Sequence, residues 1–250
     1  MNEAISLLDD LKFTGMKESL DYRLSEALQN NLAHTDFLQL LLVDEKSYRR
    51  KRKSEMLRKR AKFNLYASLD EFEPGSKRGI TKASVKQFKS LGFYQNKENL
   101  IFIGGTGAGK SFLAQAIGNE ACSQCVETMF ISVNRLFKEI EVAEASGTYL
   151  NYLAKLGRCK ILILDDLGLR NYSHVEANIL YDILEERYQK ASTIVTSQVK
   201  TQGWKTLFDD EVIAEAIVDR LTACAHTISV TGGSFRNNHA PKKDVRNEKI

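Results

Sequence analysis

One segment constrains this chain more than any other: NLIFIGGTGAGKSFLAQAIG, residues 99–118. An apolar run, Asn99–Ile103, leads straight into a loop that fits the spacing G-x-x-x-x-G-K-[ST]. Glycines let such a loop wrap a phosphate with its backbone N–H groups pointing inward. The loop must sit between a strand and a helix, because the helix N-terminus aims its positive end at the anion. The spacing therefore predicts a nucleotide site formed by Gly104, Gly105, Thr106, Gly107, Ala108, Gly109, Lys110, Ser111 and Phe112. Lys110 is expected to reach the β- and γ-phosphates of ATP, and the Ser111 hydroxyl to ligate Mg2+.

From residue 99 onward, short apolar runs alternate with helical stretches. The expected strands are Asn99–Ile103, Thr128–Val133, Lys160–Asp165, Thr193–Thr196 and His226–Val230. Helices are expected between them, including Ser111–Gln124, Asn134–Ala145 and His174–Lys190. Continuous apolar strands separated by helices indicate an α/β fold whose five-stranded parallel sheet is covered on both faces. The third strand, KILILDD, ends in two carboxylates. Asp165 is placed to hold Mg2+ and Asp166 to polarise a water, although an Asp-Asp pair also ends strands as ordinary turn chemistry. At the carboxyl end of the fourth strand, Ser197 and Gln198 are candidates to face the γ-phosphate, with Thr196 as an alternative. Arg220 reads either as a surface ion pair with its neighbour Asp219 or as a finger reaching the ATP of an adjacent subunit.

Charge divides the chain unevenly. Residues 1–45 carry nine acids against three bases, whereas residues 46–62 carry ten Lys/Arg against the single Glu55. Like charges four apart on a helix repel unless something neutralises them, which points to a nucleic-acid contact, with a solvated or acid-paired surface as the alternative. The expected phosphate contacts are Arg49, Arg50, Arg52, Lys53, Lys59 and Arg60, which cannot all lie on one stripe of a helix. Leucines at helical spacing over residues 3–66 predict a helical region, with Thr35 or Asp36 capping a helix that runs on into the basic segment. Turn chemistry at Pro74-Gly75 marks the best boundary. The division is a helical domain over 1–70, a linker and the start of the second domain over 71–98, a core over 99–236 and a tail over 237–250.

Other features weigh less. Cys122 and Cys125 form C-x-x-C inside a predicted helix with no second pair nearby, so they read as small buried hydrophobes rather than a metal or redox site. Trp204 reads as a packing anchor, and the four scattered histidines suggest no metal. No apolar run approaches a membrane span, and the first ten residues carry acids where a signal peptide needs lysines. Unevenly spaced cysteines fit a reducing compartment.

These residues resemble a known family. LKFTGMKESL, DFLQLLLVDE and the basic helix that follows, then NLIFIGGTGAGKSFLAQAIG, ILILDDLG, LEERYQKASTIVTSQ, AIVDRL and AHTISVTGGSFR, are similar to the IstB-type ATP-binding helper proteins of bacterial insertion sequences. Those are relatives of the DnaC/DnaI helicase loaders among AAA+ ATPases. The resemblance implies an AAA+ ATPase of the bacterial cytoplasm that forms a homo-oligomer on double-stranded DNA, with ATP at subunit boundaries. It would deform that DNA and recruit or activate a transposase. It implies a sensor role for Ser197 and Gln198, a trans arginine finger at Arg220, and a late nucleotide-binding arginine at Arg236. About 20 residues follow the last strand, so the usual helical lid is expected to be missing. A replicative helicase loader is the alternative function. A small-molecule kinase is disfavoured by the basic helix and by the lack of a lid segment.

Overall fold

Leucines at three- and four-residue spacing build three helices at the N-terminus: α1 (Asn2–Asp10), α2 (Thr14–Asn30) and α3 (His34–Ala61). The structure is a computed structural model and describes residues 2–75 and 79–232. Arg236, the tail over 237–250 and the expected missing lid therefore lie outside the described residues. Helix α2 ends at Asn31, in the left-handed conformation that asparagine tolerates, and α3 returns antiparallel to it. The two axes approach closely at Gly15, where a Cβ would come within 2.6 Å of the Tyr48 Cβ. Glu45 is buried at this contact and accepts from the Met16 amide (3.1 Å) and from Arg49 Nε (2.6 Å). Arg23 bridges α2 to Asp44 with Nε and Nη2 at 2.7 and 2.9 Å. The cap of α3 differs from expectation: Ala33 occupies it with no side-chain bond, and Asp36 falls in the first turn, where its charge faces the helix dipole.

The 28 residues of α3 span roughly 42 Å. Its buried face changes along the way. Leu41 and Glu45 are buried beside α2, whereas Leu57 and Ala61 pack with Cys122 and Phe63. After α3 the chain is gripped by Gln115, whose Oε1 accepts from the Asn64 and Leu65 amides at 2.8 and 3.0 Å. Ala67, Leu69 and Phe72 then enter the same core as Leu100, Phe102 and Leu113, and Gly75 bridges to Ile80.

Two short helices follow, α4 (Lys82–Ser90), capped by the Thr81 side chain, and α5 (Gly92–Gln95). The sheet comprises β1 (Asn99–Ile103), β2 (Thr128–Ser132), β3 (Ile161–Leu167), β4 (Ser192–Ser197) and β5 (Ala225–Ser229). All pairings are parallel, in the order β2-β3-β4-β1-β5. The α/β architecture and the five-stranded sheet are as the sequence predicts. Between the strands run α6 (Lys110–Ser123), α7 (Val133–Ala145), α8 (Tyr149–Arg158), α9 (His174–Arg187) and α10 (Glu211–Thr222). Up to Leu164 on β3, strand residues alternate between two cores. Ile101, Leu162, Leu164 and Val195 face α7 to α10, while Leu100, Phe102, Ile163 and Ile194 face α6, α4 and α5. Trp204 is fully buried as an anchor, its Nε1 donating to the Val199 carbonyl at 2.9 Å. Cys122 is buried on α6 with its thiol pushed up to about 11 by burial, but Cys125 lies two residues past the helix end.

The sequence reading did not single out Arg187. Its guanidinium is 1% exposed and donates to four acceptors: the carbonyls of Leu156 (2.7 Å), Cys159 (2.6 Å) and Ser192 (2.5 Å), and Thr193 Oγ1 (3.1 Å). It therefore ties the ends of α8 and α9 to the start of β4. Burial lowers its pKa to about 10, which leaves it charged at neutral pH. Replacing Arg187 with Met should orphan those acceptors and cost about 3–5 kcal/mol, read as a lower midpoint in urea with an unchanged slope.

Candidate nucleotide-binding site

The loop after β1 is held from beneath. The Gly104 amide donates to the Ser197 carbonyl at 3.2 Å, and a Cβ on Gly104 would lie 2.1 Å from the Val230 carbonyl oxygen. Only glycine fits there. Gly107 and Gly109 take φ of 79° and 96°, closing the loop so that α6 begins at Lys110. Ala108 is buried under the loop, and Gly105 and Thr106 stand exposed. Phe112 is partly buried against the α6-side core. Lys110 is 5% exposed, and its Nζ donates to the Gly104 and Gly105 carbonyls at 2.9 Å each. The ammonium is thereby kept inside the loop that would wrap a phosphate.

Strands β3 and β4 end beside this loop. Asp165 is buried and accepts from Thr196 Oγ1 at 2.6 Å, and the Ser111 side chain lies near enough to its carboxylate to affect its pKa. Burial raises that pKa, and the bond from Thr196 and the nearby Ser111 side chain pull it back. Ser111 and Asp165 thus meet as an oxygen-only pair beside the phosphate loop, which is the donor set a hard dication such as Mg2+ takes. Asp166 is half-buried, with a left-handed φ of 60°. Gln198 comes to the site directly: its Oε1 accepts from Thr106 Oγ1 at 2.8 Å. Ser197 is placed differently. Its fully buried hydroxyl donates to the Leu167 carbonyl (2.6 Å) and accepts from the Val199 amide (3.1 Å). Both bonds run to backbone at the strand end, not to the phosphate loop.

Arg220 lies at the opposite edge of the sheet. Asn99 Nδ2, at the amino end of β1, donates to the Arg220 carbonyl at 3.1 Å, whereas the phosphate loop leaves the carboxyl end of β1. The Arg220 guanidinium donates through Nε to Glu185 (2.6 Å) and lies over the rings of Tyr181 and Tyr188 at 5.3 and 5.6 Å. The carboxylate raises its pKa further, so it stays charged. None of these three residues, two on α9 and Tyr188 just past its end, was visible as a partner in the sequence, because 32 to 39 residues separate them from Arg220.

On α3 the basic residues separate by face. Arg49, Arg52, Lys53, Lys59 and Arg60 line one shallow surface groove with Met56 and Glu55. The spacing 49, 53, 56, 60 repeats every three or four residues and so keeps to one side. Arg50 is absent from that lining, and its carbonyl accepts from Cys125 Sγ at 3.6 Å. Arg49 is partly committed within the subunit, through Glu45 and the Phe13 ring at 5.4 Å. Among the described residues no helix is long and apolar enough to cross a membrane, and no cluster of three or more His, Cys, Asp or Glu is placed to hold a metal.

The parallel sheet of order 2-3-4-1-5, with a G-x-x-x-x-G-K-S loop leaving β1 and paired aspartates at the end of β3, across β4 from it, defines a P-loop nucleotide-binding protein of the AAA+ type. The family model for IstB-like ATP binding proteins matches residues 6–243, and the chain belongs to that family. It is 34% identical to a putative insertion sequence ATP-binding protein of Sinorhizobium fredii, over 94% of this chain and 96% of that one. It is 31% identical to the putative ATP-binding protein of insertion sequence IS21 from Pseudomonas aeruginosa, over 98% and 92%. Among solved structures, DnaI matches with a TM-score of 0.57 at 25% identity, covering 66% of this chain and 92% of DnaI. The DnaC helicase loader shares the fold, with a TM-score of 0.58 at 20% identity, over 68% of this chain and all of that one.

Lys110→Ala removes the buried ammonium from the loop. Nucleotide affinity should fall about 10–100-fold, the worth of one charge-assisted contact, with the melting profile retained. Binding of a fluorescent ATP analogue measures it.

Proposed function

We propose that this protein is an ATP-driven DNA-binding ATPase that assembles into an oligomer on double-stranded DNA, deforms it, and recruits or activates a transposase. The observation that carries the reading is the separation of the nucleotide loop from Arg220 along β1. Five strand residues place them roughly 17 Å apart, so Arg220 serves the site of a neighbouring copy rather than its own. ATP then sits at the boundary between subunits, with Lys110 on its β- and γ-phosphates, Gln198 beside the loop and Asp166 orienting the attacking water. Mg2+, held by Ser111 and Asp165, would neutralise charge on the phosphate oxygens. Residues 1–70 act as the DNA- and partner-binding part, through the groove on α3. The setting is the bacterial cytoplasm, where insertion sequences move.

The partner reading rests on how far the likeness extends. Insertion-sequence relatives match 94–98% of this chain, and so include the N-terminal helices, and 92–96% of their own length is covered. A helicase loader is the second reading, favoured by DnaI at 25% identity. A transposase gene beside this one would support the first.

Asp166→Asn should bind nucleotide normally yet hydrolyse it about 10²–10⁴-fold more slowly. Arg220→Ala should bind ATP as a free subunit and hydrolyse poorly. Mixed together, the two variants should regain part of the lost turnover, because one class of boundary then carries both an intact Asp166 and an intact Arg220. A steady-state phosphate-release assay across mixing ratios reads this, and no recovery at any ratio counts against a shared site.

Phosphate contacts give sequence-independent affinity that falls with salt at about −0.9 log units per phosphate neutralised. Replacing Arg52, Lys53, Lys59 and Arg60 with Ala should make that slope shallower by about 3–4 while ATP binding persists. Fluorescence anisotropy on duplex DNA across a salt series measures it. An unchanged slope would make α3 a protein-docking surface and favour the helicase-loader reading.

A further inference from the structure

We propose that Thr196 is a positioning residue of the nucleotide site, its single hydroxyl setting the geometry of Asp165 and Asp166 together. The proposal rests on the reading that these two carboxylates serve the metal and the attacking water.

The pairing of β3 with β4 slips at this point. Leu164 lies opposite Val195 and Leu167 opposite Ser197, so two residues of β3, Asp165 and Asp166, face the single residue Thr196 on β4. Two residues against one is a β-bulge, which leaves a ladder group unpaired and re-aims a side chain. The chain absorbs the extra residue at Asp166, whose φ of 60° is left-handed, a region that aspartate tolerates better than most side chains. The bulge would orphan the Asp166 amide, and Thr196 Oγ1 accepts it at 2.9 Å. An amide can only donate, so the hydroxyl's own proton must go elsewhere. It goes to Asp165 Oδ1 at 2.6 Å.

One oxygen thus holds the carboxylate of the first aspartate and the backbone of the second. Thr196 is 0% exposed, so water does not compete for either bond. Side chains of Ile163 and Ile194 enter the α6-side core, and by strand alternation Asp165 and Thr196 point to that same side, where the Ser111 side chain also lies near Asp165. Losing the hydroxyl frees the carboxylate to rotate and removes what stabilises the bulge. Without the bulge, residues beyond it would shift register by one and Asp166 would point to the other face.

Thr196→Val keeps the shape and deletes the hydroxyl. Thr196→Ala deletes both methyl and hydroxyl, and Thr196→Ser keeps the hydroxyl without the branch. In the full chain, a fluorescent ATP analogue is titrated first in EDTA and then across a Mg2+ series, with kcat and KM measured alongside. The Val and Ala variants should bind metal-free nucleotide within about twofold of wild type, need about 10–100-fold more Mg2+ for its effect, and lose kcat by a similar factor with little change in KM. Thr196→Ser should restore both readouts to within a few-fold. Val and Ala variants equal to wild type, or a Ser variant as impaired as Val, would overturn the proposal. So would unfolding of both hydroxyl-free variants beside a native Ser variant, since the hydroxyl would then serve folding alone. Asp166→Asn, assayed in parallel, separates the two claims. If it turns over normally, the carboxylate reading itself fails. If it is slow while Thr196→Val is normal, only the role of Thr196 fails.

Discussion

The parallel pairing of β1 with β4 is the constraint on which the nucleotide site depends. It brings the carboxyl ends of two sequence-distant strands to one edge, where open α/β sheets bind their ligands. Gly104 and Ser197 exchange a backbone bond across that pair, and Gln198 reaches Thr106 a step further on. Strand β3 joins from the other side of β4 and brings Asp165 under the same loop. Parallel strands need crossovers, and α6 to α10 supply them while covering both faces, which is why the strand interiors are apolar on both sides.

The same arrangement separates the two ends of the subunit. Helix α10 runs back against the strands, so its last turn, with Arg220, lands at the amino end of β1. There Glu185 holds the guanidinium through Nε, and the two tyrosine rings lie beneath it. Such contacts keep a long side chain in one orientation at modest cost, because the aromatic faces lose little freedom in making them.

The N-terminal helices connect to the site mechanically. The C-terminal half of α3 packs on α6 through Leu57 and Ala61 against Cys122, and Gln115 of α6 grips the chain as α3 ends. Helix α6 begins at Lys110, within the phosphate loop. The basic groove and the nucleotide loop are therefore built on two helices in direct contact.

The phosphate loop, the paired aspartates, five strands and the basic segment were legible in the sequence, because each is a local pattern of residue types at short spacing. Helix α8 was not picked out, although Tyr149, Tyr152, Leu153 and Leu156 recur at helical spacing after Thr148. Other features escaped for a physical reason. The backbone-bound hydroxyl of Ser197, the Glu185 partner of Arg220, the four bonds of Arg187 and the bulge that makes Thr196 a neighbour of both aspartates all depend on which strands and helices lie side by side. The sequence by itself determined the chemistry available: a phosphate loop, two carboxylates, a run of cations. Only the tertiary structure decided which groups meet, because hydrogen bonds reach about 3 Å while partners such as Asp165 and Thr196, or Glu185 and Arg220, stand more than 30 residues apart along the chain.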